Sequence, residues 1–553
     1  MQEQAQDDLI TRAQAWLAED PDPETAAELA ALIESADTAE LADRFSGTLQ
    51  FGTAGLRGEI GAGPMRMNRG VVIRAAAGLA AYLKAQGHDG GLVVVGYDAR
   101  YKSADFARDT AAVMTGAGLR AALLPRPLPT PVLAYAIRHL GAVAGVEVTA
   151  SHNPPRDNGY KVYLGDGSQI VSPADSEIAA QIAAVAKLAD VPRPESGWQE
   201  LGDEVLEAYL ARTDAVLTPG SPRGVRTVYT AMHGVGKDVV LAAFARHGFP
   251  EPVLVAEQAE PDPAFPTVAF PNPEEPGAMD LAFAKAAEVQ PDIVIANDPD
   301  ADRCAVAVPT GDGWRMLRGD EVGALLAAHL VHKGVSGGDK VFAESIVSSS
   351  LLGRIAEAAG VGHEETLTGF KWIARVKGLR YGYEEALGYC VDPEGVRDKD
   401  GVTAALLVAE LASVLKEQGR TLTDLLDDLA MAHGLHATDQ LSVRVSDLSI
   451  IADAMAALRA QPPVSLAGLR VVSAEDLSRG TETLPPTDGL RYYLDGAYKA
   501  RVIARPSGTE PKLKCYLEVV VPVAEASDLA PARVRGQEVL DAIKKDLSAA
   551  MGI

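Results

Sequence analysis

At 553 residues the chain is too long for one hydrophobic core, and length alone suggests about four domains. Its 47% apolar and 23% charged residues are ordinary for soluble globular protein, while a net charge of −25 argues against nucleic acid and anionic membrane surfaces as partners. No run reaches the ~18 apolar residues of a membrane span, and Met1-Gln2-Glu3-Gln4 carries no basic-then-apolar leader. Cys304, Cys390 and Cys515 lie far apart without CxxC spacing, which fits reduced thiols and a cytoplasmic location.

The predicted elements begin with two helices, Leu9 to Leu17 and Ala26 to Ile33, separated by Asp20-Pro21-Asp22-Pro23 and forming a helical extension over residues 1–45. A strand–loop–helix unit then recurs. Leu92 to Gly96 precedes a helix from Ser103 to Gly116, and Val225 to Thr230 precedes a helix ending at Gly248. Lys340 to Ala343 precedes a third, ending at Gly360. Each helix stops at glycine, which tolerates the left-handed position after a helix. Residues 438–553 differ: strand, helix, strands and a closing helix. The expectation is an α/β protein with three similar mixed α/β domains in series, at residues 46–218, 219–315 and 316–437. An α+β domain at 438–553 follows, and all four surround a central active-site cleft.

Two loops carry chemistry. Gly145 to Thr149 reads as a strand, so Ser151 of Thr149-Ala150-Ser151-His152-Asn153-Pro154 sits on the loop leaving it. Asn153-Pro154-Pro155 and Asn158-Gly159 force turns that display the hydroxyl, with His152 and Lys161 within reach. A serine-hydrolase elbow would need glycine at positions 149 and 153. The second loop, Asp298-Pro299-Asp300-Ala301-Asp302-Arg303, follows the β-branched run Ile293-Val294-Ile295-Ala296, which reads as a buried strand of a parallel sheet. Three carboxylates at alternate positions repel unless a cation joins them, and oxygen ligands alone suit Mg²⁺. Arg303 can offset the remaining negative charge. An EF-hand fails at Arg303, where glycine is required, and a dehalogenase-type phosphatase wants Thr or Val where Asp302 stands. No nucleotide-binding glycine loop is present, so ATP is not the expected phosphate source.

These residues together resemble the α-D-phosphohexomutase superfamily, which holds phosphoglucomutases, phosphomannomutases and phosphopentomutase-like enzymes. TASHNP resembles its active-serine loop and DPDADR its metal loop. Arg505-Pro506-Ser507-Gly508-Thr509-Glu510-Pro511-Lys512 resembles its phosphate-binding loop, and Gly382-Tyr383-Glu384-Glu385-Ala386-Leu387-Gly388 its sugar loop. Thr368-Gly369-Phe370-Lys371 and the segment Phe51 to Arg57 match further family loops. The resemblance implies that Ser151 carries a phosphoryl group, and that Asp298, Asp300 and Asp302 bind Mg²⁺ together with the Ser151 phosphate. It implies catalytic roles for Ser151, His152, Lys161, Arg303 and Lys371. Substrate contacts would come from Arg57, Glu384, Ala386, Arg505, Ser507, Gly508, Thr509 and Lys514. It further implies a mutase moving phosphate between O1 and O6 of glucose or mannose phosphate, with hexose 1,6-bisphosphate as activator and intermediate. Its partners would be small sugar phosphates, and the chain a monomer or homodimer. Ala386 departs from the Glu-Glu-Ser of many relatives, which leaves a phosphopentomutase open, and a metal-dependent phosphosugar phosphatase is the alternative of another class.

Overall fold

The computed structural model describes residues 2–52, 55–445, 447–507 and 512–553. The chain forms two compact units, Met1–Met316 with Gly388–Ser413, and Leu317–Leu387 with Val414–Ile553.

The first unit opens with helices Gln2–Glu19, Pro23–Glu34 and Thr38–Arg44. Leu9, Ala13, Leu29, Leu41 and Phe45 form their small core. The third helix, too short to show periodicity, starts at Asp37, whose carboxylate caps the Glu40 N–H at 3.1 Å. Next come strands β1 (Leu56–Glu59), β2 (Leu92–Tyr97), β3 (Arg120–Leu123), β4 (Ala144–Val148), β5 (Asp157–Leu164) and β6 (Gln199–Glu200). They form one mixed sheet ordered β1-β5-β4-β2-β3-β6. Strand β2 runs parallel to β3 and β4, whereas β5 is antiparallel to β4 and to β1. Val93, Val95, Val146 and Val148 share a core with Val72, Leu79, Phe106 and Val113 of helices Arg69–Ala85 and Ser103–Gly116. Gly118 (φ 84°), rather than Gly116, takes the left-handed position beyond the latter helix; Gly248 and Gly360 do so for theirs.

A second mixed sheet is built from β7 (Thr227–Thr230), β8 (Val253–Leu254), β9 (Ile293–Ala296), β10 (Ala305–Thr310) and β11 (Gly313–Met316), ordered β11-β10-β9-β7-β8. The buried run Ile293–Ala296 is therefore not wholly parallel: β9 is parallel to β7 but antiparallel to β10. The acidic loop between β9 and β10 is too short for a parallel crossover, so the chain must turn straight back. Gly388–Cys390 (β15) and the start of helix Gly401–Glu417 also belong to this unit. They are tied in by Arg212 to Asp392 at 2.6 Å and Tyr209 to Asp400 at 2.9 Å.

In the second unit, β12 (Val341–Ser345) lies parallel to β13 (Gly362–Thr366) and β14 (Leu379–Glu384). An antiparallel sheet follows, from β16 (Leu435–Arg444), β17 (Ser465–Leu466), β18 (Leu469–Asp476), β19 (Leu490–Asp495), β20 (Lys499–Pro506) and β21 (Lys512–Val521). Its order is β16-β21-β20-β19-β18-β17, and helix Leu529–Met551 packs Leu540, Ile543 and Leu547 against it. Ile346, Val347 and Leu367 meet Leu477, Ile503 and Tyr516 in a further apolar cluster within the unit. The protein is thus α/β, with three mixed α/β domains and a C-terminal antiparallel-sheet domain. Among the described residues no helix is long and apolar enough to cross a membrane.

Candidate active site

Ser151 lies just past the carboxyl end of β4, buried, with φ 52°. A left-handed serine costs on the order of 1 kcal/mol or more, so the surroundings must hold it there. Arg100 does so. Its guanidinium donates to the carbonyls of Ser151 (2.6 Å), Asn153 (2.6 Å), Pro154 (2.8 Å) and Asp157 (3.1 Å). Asp98 in turn sets the Arg100 turn, accepting the Arg100 N–H at 3.0 Å and the Ser103 hydroxyl at 2.7 Å. The Thr149 hydroxyl accepts the Ser151 N–H at 2.8 Å, and Arg57 donates to Asn153 Oδ1 at 3.2 Å. The Arg57 guanidinium is depressed by burial.

The acidic loop meets this serine. Ser151 Oγ donates to Asp298 Oδ2 at 2.7 Å, and His152 Nδ1 is 3.3 Å from the same hydroxyl. Asp298, Asp300 and Asp302 are wholly buried and offer oxygens within 4.8 Å of one another, with Ala301 between them at φ 54°. Lys161, reaching from β5, donates to Asp300 Oδ2 at 2.8 Å and Asp302 Oδ2 at 3.0 Å. Thr130 Oγ1 donates to Asp300 Oδ2 at 2.6 Å, and Arg303 Nε stands 3.9 Å from Asp298. Burial and repulsion by Asp300 and Asp302 push the Asp298 carboxyl well above its usual range. Burial pushes Asp300 the same way, but Lys161 and Thr130 outweigh it and hold that carboxyl below its usual range. Asp300 Oδ1 and Asp302 Oδ1 are buried without a hydrogen-bond partner among the described residues. Two orphaned carboxylate oxygens beside a third raised carboxyl are what a hard divalent cation would satisfy, so the donor set fits Mg²⁺.

Arg100, Thr130 and Lys399 were not singled out by the sequence. Lys399 Nζ lies 3.2 Å from Asp302 Oδ2, delivered by the segment that returns at Gly388. Gly388 bridges to Arg303, and Gly401 packs so closely that a Cβ there would sit 2.3 Å from the Arg303 carbonyl and 2.6 Å from that of Ala301. The alternating run Asp398-Lys399-Asp400 was the available signal for Lys399, and Asp98-Ala99-Arg100 at a strand end the signal for Arg100.

The first unit thus gathers Arg57, Ser151, His152, Lys161, Asp298, Asp300, Asp302 and Arg303 into one site. The remaining candidates lie in the second unit. Lys371 is buried, its Nζ 5.3 Å from the Trp372 ring, and Glu384 ends β14 just before Ala386. Arg505 on β20 stands opposite Lys514 on β21, and the Ser507 N–H donates to the Lys512 carbonyl at 2.8 Å. Gly508 and Thr509 lie outside the described residues.

Family models of phosphoglucomutase/phosphomannomutase match along the chain: α/β/α domain I over residues 48–189, II over 207–311, III over 318–432, and the C-terminal domain over 441–535. A probable phosphomannomutase of Haemophilus influenzae is 51% identical over 460 residues, covering 82% of this chain and 93% of that protein. The phosphopentomutase of Mus musculus is 35% identical over 563 residues, covering 92% and 89%. The crystal structure of a candidate phosphomannomutase from Thermus thermophilus superposes with a TM-score of 0.70 at 27% identity, covering 91% of this chain and 99% of that one.

Proposed function

Because this chain belongs to the phosphoglucomutase/phosphomannomutase family and is an isomerase of that type, a phosphosugar mutase, we propose that it moves a phosphoryl group between O1 and O6 of glucose or mannose phosphate. The observation that carries this reading is the Ser151 hydroxyl aimed at Asp298 from 2.7 Å, in a backbone conformation the fold maintains at a cost.

In the resting enzyme Ser151 Oγ bears a phosphoryl group. The free hydroxyl of the sugar monophosphate attacks phosphorus, the P–Oγ bond breaks, and a hexose 1,6-bisphosphate forms. The attacking hydroxyl releases its proton to a base and the departing Ser151 Oγ takes one up, and His152 and Lys371 are the candidates for handling these protons. The bisphosphate reorients, its other phosphate returns to Ser151, and the isomeric monophosphate leaves. Lys161 and Arg303 offset negative charge around the moving group. Asp298, Asp300 and Asp302, with the Ser151 phosphate, would hold Mg²⁺, which when bound supplies positive charge beside that phosphate. Arg505, Ser507, Gly508, Thr509 and Lys514 grip the phosphate that is not reacting, Arg57 supports the serine loop, and Glu384 with the backbone at Ala386 reads the sugar hydroxyls. The chain would divide into four domains, bounded near residues 46, 219, 316 and 438, each carrying one of these loops.

A phosphopentomutase is the second reading, favoured by Ala386 in place of a hydroxyl and by the mouse enzyme's similarity. Initial rates with glucose, mannose, glucosamine and ribose 1-phosphates, each with and without hexose 1,6-bisphosphate, decide between them. Fastest turnover of ribose 1-phosphate rejects the hexose assignment. Mass spectrometry of the Ser151 peptide should find phosphate in active protein, and full turnover by Ser151→Ala would remove Ser151 from the mechanism.

A further inference from the structure

Glu385 follows Glu384 at the end of β14, yet its carboxylate is already engaged within the protein. Its Oε2 accepts from Ser345 Oγ at 3.0 Å and Ser348 Oγ at 3.2 Å, and its N–H donates to Ser348 Oγ at 3.1 Å. Its carbonyl lies against the start of helix Gly319–His332, where a Cβ on Gly319 would be 1.8 Å away. The loop is therefore fixed from both sides.

The anchor extends to another strand. The Ser348 carbonyl accepts from Arg501 on β20. Arg501 also binds Glu365 at 3.0 Å and lies 3.4 Å from Glu518 on β21. Glu518 accepts the Ser349 hydroxyl at 2.6 Å and the Ser350 N–H at 2.9 Å. Asp320 closes the circuit, accepting from the Tyr383 hydroxyl at 2.9 Å and the Ser349 N–H at 2.7 Å. Arg501 and Arg505 are four residues apart on β20, hence on the same face of the strand.

We propose that Glu385 is a positioning residue which, through Ser348 and Arg501, sets the sugar loop in register with the strand carrying Arg505. The sugar loop is then linked to the strand that carries the phosphate grip, so that the groups reading sugar hydroxyls and distal phosphate are aligned with each other. Such preorganisation matters because small misplacements of bound substrate weaken every contact at once. The proposal rests on the reading of Glu384 and Arg505 as substrate groups given above.

The test uses the full-length protein carrying Glu385→Gln, Arg501→Lys or both, with phosphate occupancy of Ser151 as a control on the first unit. Each single variant should raise KM for glucose 1-phosphate about tenfold with kcat changed less than about threefold. The double variant should be no worse than the more impaired single, because the two substitutions cut one connection. Amide exchange across residues 382–388 should quicken in Arg501→Lys, although that substitution is on a different strand. Additive KM effects, or unchanged exchange over that loop, overturn the proposal. If Glu385→Gln does not fold, Ser348→Ala carries the same expectation. Wild-type protein that interconverts no sugar phosphate would sink the mutase reading, while the exchange measurement still decides the coupling.

Discussion

Arg100 shows how much one side chain can hold. Its guanidinium satisfies four carbonyls of the loop that presents Ser151, and it is the reason a serine can rest at positive φ. Arg100→Met should lower unfolding free energy by roughly 3 kcal/mol and reduce kcat more than it changes KM, read by urea denaturation and steady-state kinetics. Arg100→Lys should recover only part of this, since an ammonium cannot span the fork. Glu147 is a different case. It is wholly buried on β4, with neither carboxylate oxygen hydrogen-bonded among the described residues. Burial first, and Asp98 next, push its carboxyl well above the usual range, so the folded protein keeps a proton there that the unfolded chain gives up. Stability from this group is full below about pH 4.3 and falls as pH rises above it. Glu147→Gln should flatten that decline in denaturation curves taken from about pH 5 to pH 8; an unchanged slope would mean the carboxyl is ionised in the fold. At this scale the sequence is informative where chemistry is local. Ser151, His152 and the three aspartates sit in short stretches whose turns and charges are visible in one dimension. Arg100, Thr130 and Lys399 are not, because what makes them matter is a neighbour far away in the chain.

Among elements, the paired strands β20 and β21 carry the clearest consequence. Burial pushes the Glu518 carboxyl up, but Arg501, His436 and Ser349 outweigh it and bring it to about 2. A depressed carboxyl stabilises the fold above its unfolded value, near pH 4.3, and loses that contribution as pH falls from there to about 2. Glu518→Gln should therefore cost roughly 3 kcal/mol at neutral pH and little near pH 2, by chemical denaturation across that range. Gly401 makes a matching case for the metal loop. Gly401→Ala puts a methyl against the Arg303 and Ala301 carbonyls, and should weaken magnesium affinity by about tenfold or more in calorimetric titration. Strongly patterned elements were legible: the helix Ser103–Gly116 and the strand Ile293–Ala296 follow from periodicity and a β-branched run. Short or returning ones were not. Helix Thr38–Arg44 spans two turns, too few for a pattern, and nothing in the run at β9 tells whether its next neighbour is parallel.

At the level of the whole molecule, a net charge of −25 coexists with Arg57, Arg100, Lys161, Arg303 and Lys399 collected around one serine. A net charge sums the whole chain; it could not report that these cations gather beside three buried carboxylates. The unpaired oxygens of Asp300 and Asp302 predict that magnesium stabilises the folded protein. A hundredfold excess over Kd should add about 2.7 kcal/mol, read as a rise in melting temperature that chelator reverses and that Asp300→Asn abolishes. The fold class was readable because strand–loop–helix units recur before a final stretch of different pattern. The return of residues 388–413 to the first unit was not, since no motif marks a segment that groups with residues so much earlier in the chain.

That return has a bearing on biosynthesis. The acidic loop emerges from the ribosome well before Lys399 and Gly401 do, and until Gly401 is made the nascent first unit lacks the lysine beside Asp302 and the backbone against Arg303. A polypeptide halted at Met316 should consequently remain an unfinished, protease-sensitive species, and ordering of the carboxylate trio should await translation of what lies beyond.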